Sequence, residues 1–281
     1  IIDSNYNFIH PDDFEKNFLI PKKQKKILLT IDDAFQSFYE NAWPFLKKNK
    51  IPFVLFVSTE PIGNQGYMTW DQIKEINNTS FAIVGHHSHS HKYLIDKSNE
   101  EFIKDIQEAS SIFKEKLGYV PKLFSYPFGE YSEFMRDYVS KNFSFGFGQH
   151  SGVIDINKDK FELPRFPINE NYGEMQRFES IIKTYPLEYK KLYPVEKKIN
   201  KKNNPPDFSV EFFENQKNIQ NISCYSNEGD NWEKSITSFN KNILTIKFRE
   251  PFKPRRGRIN CSLNDDGKWR WFGTQFIVTK D

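Results

Sequence analysis

Between residues 25 and 184, apolar positions fall in short continuous runs separated by stretches of helical spacing. The runs at 26–31, 52–57, 81–84 and 122–125 are continuous rather than alternating, which predicts strands covered on both faces. Between them, 34–47 and 69–76 carry helical spacing, the first expected to be interrupted near Pro44, whose ring does not fit a helix interior. The clearest helix opens at Ser98. Ser98 and Glu101 form a capping box, and Phe102, Ile103, Ile106, Ala109, Phe113 and Leu117 share one face. Gly118 stands where a left-handed cap would end it, and a further helix is expected at about 130–139. Strand and helix in alternation predict a parallel sheet, open or closed into a barrel.

After Tyr193 the pattern changes. Residues 197–206 are polar, rich in lysine and end in Pro205-Pro206, which reads as a solvated connector. Beyond it, β-type runs at 208–213, 222–226, 235–239, 243–248, 258–263 and 269–279 are separated by turn signals such as Asn264-Asp265-Asp266-Gly267. The expected division is a first domain over 1–190, a basic linker over 191–206 and a small all-β, sandwich-like domain over 207–281. Alternation places Trp269 and Trp271 on one face of the last strand, either inward or as an exposed platform. Cys224 and Cys261 cannot supply a four-ligand zinc cage; two buried thiols and one disulfide are both open.

Composition narrows the class. With 281 residues, 37% of them hydrophobic and 27% charged, the chain can build a packed core, and wholesale disorder is excluded. Aromatics reach 16%, enough to fill a core or to line a groove for sugar rings. Forty Lys and Arg against 37 Asp and Glu leave a net charge of +3, too mild to argue for nucleic acid. The longest apolar run, 51–57, is too short for a membrane span. The first residue is Ile1, so a mature or trimmed form is expected, with any signal or anchor upstream.

Three segments carry chemistry, and each follows a predicted parallel strand. Asp32-Asp33 places two carboxylates side by side; one suffices to cap the following helix, and a metal with a neighbouring base accounts for the second. In Gly85-His86-His87-Ser88-His89-Ser90-His91, four of the six histidines lie within six residues. His87 and His91 are four apart, so on a helical turn both imidazoles would point to one side and suit one metal ion. Two nitrogens and one carboxylate oxygen leave positions for water and substrate, the pattern of a catalytic site. The third segment, Ser125-Tyr126-Pro127-Phe128-Gly129, imposes a turn at the end of the fourth strand. All three would meet on one rim, where parallel α/β folds place active sites.

In this order, Thr30-Ile31-Asp32-Asp33, His87-Ser88-His89-Ser90-His91 and Ser125-Tyr126-Pro127-Phe128-Gly129 resemble the three motifs of the polysaccharide deacetylases. These are the NodB-homology enzymes of carbohydrate esterase family four, with a further likeness to the poly-N-acetylglucosamine deacetylases. The resemblance covers about two-thirds of the chain. It implies a distorted (β/α) barrel and metal-dependent removal of N-acetyl groups from an N-acetylhexosamine-containing polysaccharide or oligosaccharide. It further implies that Asp33, His87 and His91 bind one divalent metal, most often zinc, and that Asp32 is the base that deprotonates the attacking water. The Phe128 N–H matches an oxyanion donor and Ser88 the hydroxyl that steadies the ligand loop, while His86 and His89 match no ligand position.

The departures from the pattern are specific. Ser125 stands where the family carries an arginine that buttresses the base; Arg165 either supplies that charge or is structural. The family's Leu-x-His acid motif is absent. His150, a histidine upstream of Ile1, or the less well placed His10 would have to donate the proton instead. Two other functions stay open: an amidohydrolase of the same fold acting on a small non-sugar amide, and a glycan-binding protein on a catalytically degenerate scaffold. The expected partner is a glycan with N-acetylated amino sugars, without nucleic acid or a transmembrane segment. Extracytoplasmic placement, in the periplasm or at the cell surface, is expected from that substrate class.

Overall fold

A computed structural model describes residues 6–19 and 26–279, so the outermost residues of both expected domains lie outside the described part. The chain forms two compact units, each assembled from separate stretches. One contains residues up to Pro127 with Tyr138–Phe147 and Asp159–Phe161; the other contains Phe128–Asp137, Gly148–Lys158 and the chain from Glu162 onward.

The first unit begins with β1 (Asn7–Phe8) and α1 (Phe14–Leu19), and β1 pairs in parallel with β2 (Lys26–Ile27). Then follow β3 (Leu29–Asp32), α2 (Trp43–Asn49), β4 (Phe53–Val57), α3 (Trp70–Asn77), β5 (Ala82–His86), α4 (Asn99–Leu117) and β6 (Leu123–Ser125). After α5 (Glu133–Asn142), whose residues divide between the two units, β7 (Phe145–Phe147) completes the sheet. The order β3-β4-β5-β6-β7 is parallel throughout, a half-barrel of the NodB type. All five residues of β4 are buried, as a strand covered on both faces requires. Trp43, Phe53, Leu55, Ile73, Ile76, Val84 and Phe113 form the core beside it, each large side chain worth about 1.5–3 kcal/mol of transfer free energy. At Gly85 a β-carbon would stand 2.4 Å from the Phe56 ring, so glycine lets that ring lie across β5 just before the histidine segment.

Two helix expectations shift. The helix expected over 34–47 is helical from 36 to 49 and is interrupted just ahead of Pro44, where Phe38–Ala42 widen into a π-type segment before α2; only its bounds shift. The helix expected from 130 starts at Glu133 instead. Phe128 and Gly129 hold left-handed backbone (φ 59° and 67°), which no helix accommodates, and the Ser132 hydroxyl accepts the Met135 N–H in the first turn. The capping box of α4 forms, and Gly118 ends the helix at φ 84°.

The second unit contains α6 (Met175–Lys183), β8 (Tyr185–Pro186), β9 (Lys191–Tyr193), β10 (Lys198–Ile199), β11 (Phe208–Glu211), β12 (Ser223–Asn227) and β13 (Trp232–Lys234). It continues with β14 (Ile236–Asn240), β15 (Ile243–Lys247), β16 (Arg256–Asp265) and β17 (Lys268–Val278). One sheet runs β10-β17-β16-β12-β13 with β8 beside β17; the other runs β14-β15-β11-β9. Their inward side chains, among them Phe208, Val210, Leu244, Ile246, Ile259, Leu263, Phe272 and Phe276, share one core, which makes the strand-rich part a sandwich. Where the lysine-rich stretch suggests a solvated connector, the structure pairs β9 with β11 and β10 with β17, and buries Lys197 and Ile199. The Lys197 ammonium lies 5.6 Å from the centre of the Phe276 ring and donates to the Pro194 carbonyl, so the charge is held by an aromatic face and a backbone oxygen.

Cys224 and Cys261 face each other in the β12–β16 register and form a disulfide. Phe272 enters the core, whereas Trp269 is half exposed and Trp271 packs against Phe166 on the opposite face of β17. Asp266 and Gly267, both left-handed, make the tight turn that joins β16 to β17 in register.

Candidate metal centre

The carboxyl ends of β3, β5 and β6 lie along one edge of the parallel sheet, and three elements of the site begin there. Asp32 ends β3. Asp33 follows with φ 74°, which turns its side chain toward the histidine loop. His91 Nε2 stands 3.0 Å from Asp33 Oδ1, and His87 Nε2 stands 3.5 Å from the same oxygen. Asp32 Oδ2 lies 3.9 Å from His87 Nε2. The ligand atoms of Asp33, His87 and His91 all fall within 4.8 Å of one another.

Hydrogen bonding sets the state of His87. Its Nδ1 is 2.7 Å from the Ser125 carbonyl oxygen, which can only accept, so Nδ1 carries the proton and leaves the Nε2 lone pair toward Asp33 and His91. That Nε2 is buried and makes no hydrogen bond among the described residues. Burial alone would raise the Asp33 pKa, but the two imidazoles beside it outweigh burial and hold the carboxyl well below the usual range. Burial would lower His87, yet Asp32 and Asp33 together raise it. A buried lone pair without a donor, a second imidazole nitrogen and an ionised carboxylate oxygen suit a divalent cation, and this donor set fits zinc.

The two ligand histidines do not share a helical turn. Residues 87–91 form a loop with Ser88 at φ 71° and His91 at φ 50°, and side chains hold it in that shape. The His91 N–H donates to Ser88 Oγ, and the Ser88 N–H donates to His86 Nδ1. Asp105 of α4 accepts the His89 and Ser90 N–H groups on its two oxygens, at 2.8 and 3.1 Å. His89 itself contacts Thr59 Oγ1 at 2.7 Å and Glu108 at 3.4 Å. His86 is fully buried among Phe113, Phe124 and Phe143, and burial pushes its pKa down to about 3. Both histidines that match no ligand position therefore support the loop. Asp105 was not legible in the sequence, because it sits beside Ile106 on a helix whose apolar face gives no sign of a polar contact.

Of the remaining candidates, Phe128, His150 and Arg165 belong to the second unit and His10 to the first. Phe128 occupies the turn after β6, with φ 59°. Arg165 Nε donates to the Gly148 carbonyl, a backbone partner, and its own N–H donates to the His150 carbonyl. His150 Nδ1 is buried with no hydrogen-bond partner among the described residues. Burial first, and then the positive charges of Lys197 and Arg165, push its pKa down to about 3. A proton donor needs a pKa near the working pH, so this neutral imidazole does not suit the general acid expected of it. His10 is structural: its Nδ1 accepts the Asp12 N–H and its other nitrogen bonds the Ser80 carbonyl.

His150 also gives a pH dependence. In the unfolded chain a histidine titrates near 6.5, so between that pH and about 3 the unfolded state takes up a proton that the folded state refuses. Stability is complete above pH 6.5 and falls on acidification by about 1.4 kcal/mol per pH unit for this residue. Urea unfolding at pH 7.5 and 5 measures the slope; His150→Asn should flatten it, and an unchanged slope in that variant would show that the group carries no such load.

Comparison with known proteins places this site. Residues 20–143, under half of the chain, match the family model described as polysaccharide deacetylase. The chain is similar to poly-beta-1,6-N-acetyl-D-glucosamine N-deacetylase of Staphylococcus aureus, 29% identical over 132 residues that cover 41% of this chain and 46% of that protein. It thus spans about half the length of the curated relatives it matches. Among solved structures, IcaB from Ammonifex degensii is similar at TM-score 0.55 and 25% identity, covering 63% of this chain and 82% of that one. Streptococcus pyogenes deacetylase PplD, solved in complex with acetate, shares the fold at TM-score 0.58 and 22% identity, covering 64% of this chain and 81% of that one. No helix among the described residues is long and apolar enough to cross a membrane.

Proposed function

We propose that the protein is a metal-dependent N-deacetylase that hydrolyses the acetamido groups of an N-acetylglucosamine-containing polysaccharide. The observation that carries this reading is the convergence of Asp33, His87 and His91, with a buried His87 Nε2 that makes no hydrogen bond among the described residues, beside the second carboxylate of Asp32. The named activity of the Staphylococcus aureus relative supports a β-1,6-linked N-acetylglucosamine polymer as the substrate. The disulfide supports extracytoplasmic placement, since such bonds persist in oxidising compartments.

Asp33, His87 and His91 would hold the ion. A zinc ion there would supply Lewis-acid polarisation of the acetyl carbonyl and a lowered pKa for the attacking water. Asp32 is the base that takes the water proton. The Phe128 N–H, in the role its motif implies, donates to the oxygen that gains charge in the tetrahedral intermediate. The proton that Asp32 takes from the water can pass on to the departing amine. Ser125 contributes its backbone carbonyl, which fixes the His87 tautomer, so the substitution of the family arginine leaves that contact intact.

The test couples metal content to acetate release from β-1,6-linked N-acetylglucosamine oligomers, before and after chelation. About one metal per chain is expected, with acetate release lost on chelation and restored by zinc. Metal-loaded protein that releases no acetate from any such oligomer would overturn the substrate reading. Protein that retains no metal would overturn the enzyme.

A further inference from the structure

The turn at Phe128 and Gly129 is an unfavourable piece of backbone. Phe128 adopts φ 59°, a region that a side chain with a β-carbon resists, and Gly129 follows at φ 67°. A β-carbon on Gly129 would stand 2.3 Å from the Gln149 backbone nitrogen, so the turn is also closely packed. Such a conformation persists only where surrounding groups determine it.

Those groups come from the end of the chain. Gln275, in β17, donates from Nε2 to the Gly129 carbonyl at 2.6 Å. Glu130, the next residue of the turn and only 2% exposed, accepts from two arginines at the start of β16. Arg255 reaches it through Nε at 3.0 and 2.9 Å and through Nη2 at 2.6 Å, and Arg256 through Nε at 2.7 Å. The Arg256 guanidinium also lies 5.7 Å from the centre of the Phe128 ring. Charge-assisted bonds of this kind are short and directional, and a buried carboxylate held by two guanidinium groups has little freedom to move. The turn is tied on both sides of Gly129, by its carbonyl and by the following side chain. Two neighbouring arginines thus close on one buried acid.

We infer that Arg255, Arg256 and Gln275 are positioning residues that fix the direction of the Phe128 N–H. The inference rests on the reading of Phe128 as an oxyanion donor. It predicts a particular split. None of the loosened residues is among the grouped donors Asp33, His87 and His91, so loosening the turn should leave metal binding untouched while the amide loses its aim.

The experiment uses the full chain and compares wild type with Gln275→Met, Arg256→Gln and Arg256→Lys. Gln275→Met keeps the side-chain length and every charge and removes only the donor to Gly129, so it stays informative if Arg256→Gln fails to fold. Expected for both disruptive variants is a kcat lower by about 10- to 100-fold, with KM and zinc content unchanged. Arg256→Lys, which can still pair with Glu130, should recover part of the loss. Folded variants with wild-type kcat, or a loss confined to KM, would overturn the inference alone. A wild-type protein that holds zinc and releases no acetate would overturn the deacetylase reading and this inference with it.

Discussion

Asp32→Asn should retain about one zinc per chain and lose acetate release by about 10²- to 10⁴-fold, the usual contribution of a positioned general base. That corresponds to about 3–5 kcal/mol of transition-state stabilisation. The reason lies in the division of labour between adjacent carboxylates. Asp33 touches both histidines, whereas Asp32 Oδ2 approaches only His87, at 3.9 Å. The amide preserves size and hydrogen bonding but cannot accept a proton at neutral pH. Metal analysis together with oligomer deacetylation provides the check. Unchanged turnover in a zinc-loaded variant would remove Asp32 from the mechanism, and loss of zinc would make it a ligand instead of the base.

The Cys224→Ala, Cys261→Ala double variant should be less stable by about 4 kcal/mol. The two residues are 37 apart in sequence, and a cross-link of that span restricts the unfolded chain by about this amount. Both side chains are buried in the shared core of the two sheets, so their replacement leaves little new exposed surface. Urea unfolding followed by tryptophan fluorescence reports on both units, Trp232, Trp269 and Trp271 belonging to the second and Trp43 and Trp70 to the first, and the shift is expected in the transition of the second. A shift below about 1 kcal/mol would show that the β12–β16 pairing already restricts the unfolded chain without the bond. Reductant should reproduce the effect in the wild-type protein.

How much of this was legible in advance depends on the range of the interactions involved. The buried strands at 53–57 and 82–86 and the helix from Asn99 follow from continuous apolar runs and from a capping box, which are local signals. The ordered spacing of Asp32-Asp33, the histidine segment and Tyr126-Pro127-Phe128-Gly129 was equally visible, and the structure gathers Asp32, Asp33, His87 and His91 at the edge of one sheet. His87 and His91 come together as their spacing suggested, but not through a helical turn. Their convergence comes from a loop held by Ser88, His86 and Asp105, the last contributed by a helix that begins eight residues beyond His91.

Other features needed the third dimension. The lysine-rich stretch around Lys197 has the composition of a connector, and only the β10–β17 pairing and the Phe276 ring make it part of a sheet. His150 carries the residue type of a proton donor; burial beside Lys197 and Arg165 makes it neutral. The partners of Glu130 stand 125 and 126 residues away along the chain, beyond any periodicity or motif. Sequence by itself determined the parallel α/β core and the chemical types and order of the grouped Asp and His side chains, because those depend on short-range pattern and residue identity. The tertiary structure alone decided which charges are compensated, which histidine can hold a proton, and what keeps Phe128 in its left-handed turn. Those properties arise from burial and from groups brought together across long stretches of chain, and their electrostatic strength is set by the water that folding removes.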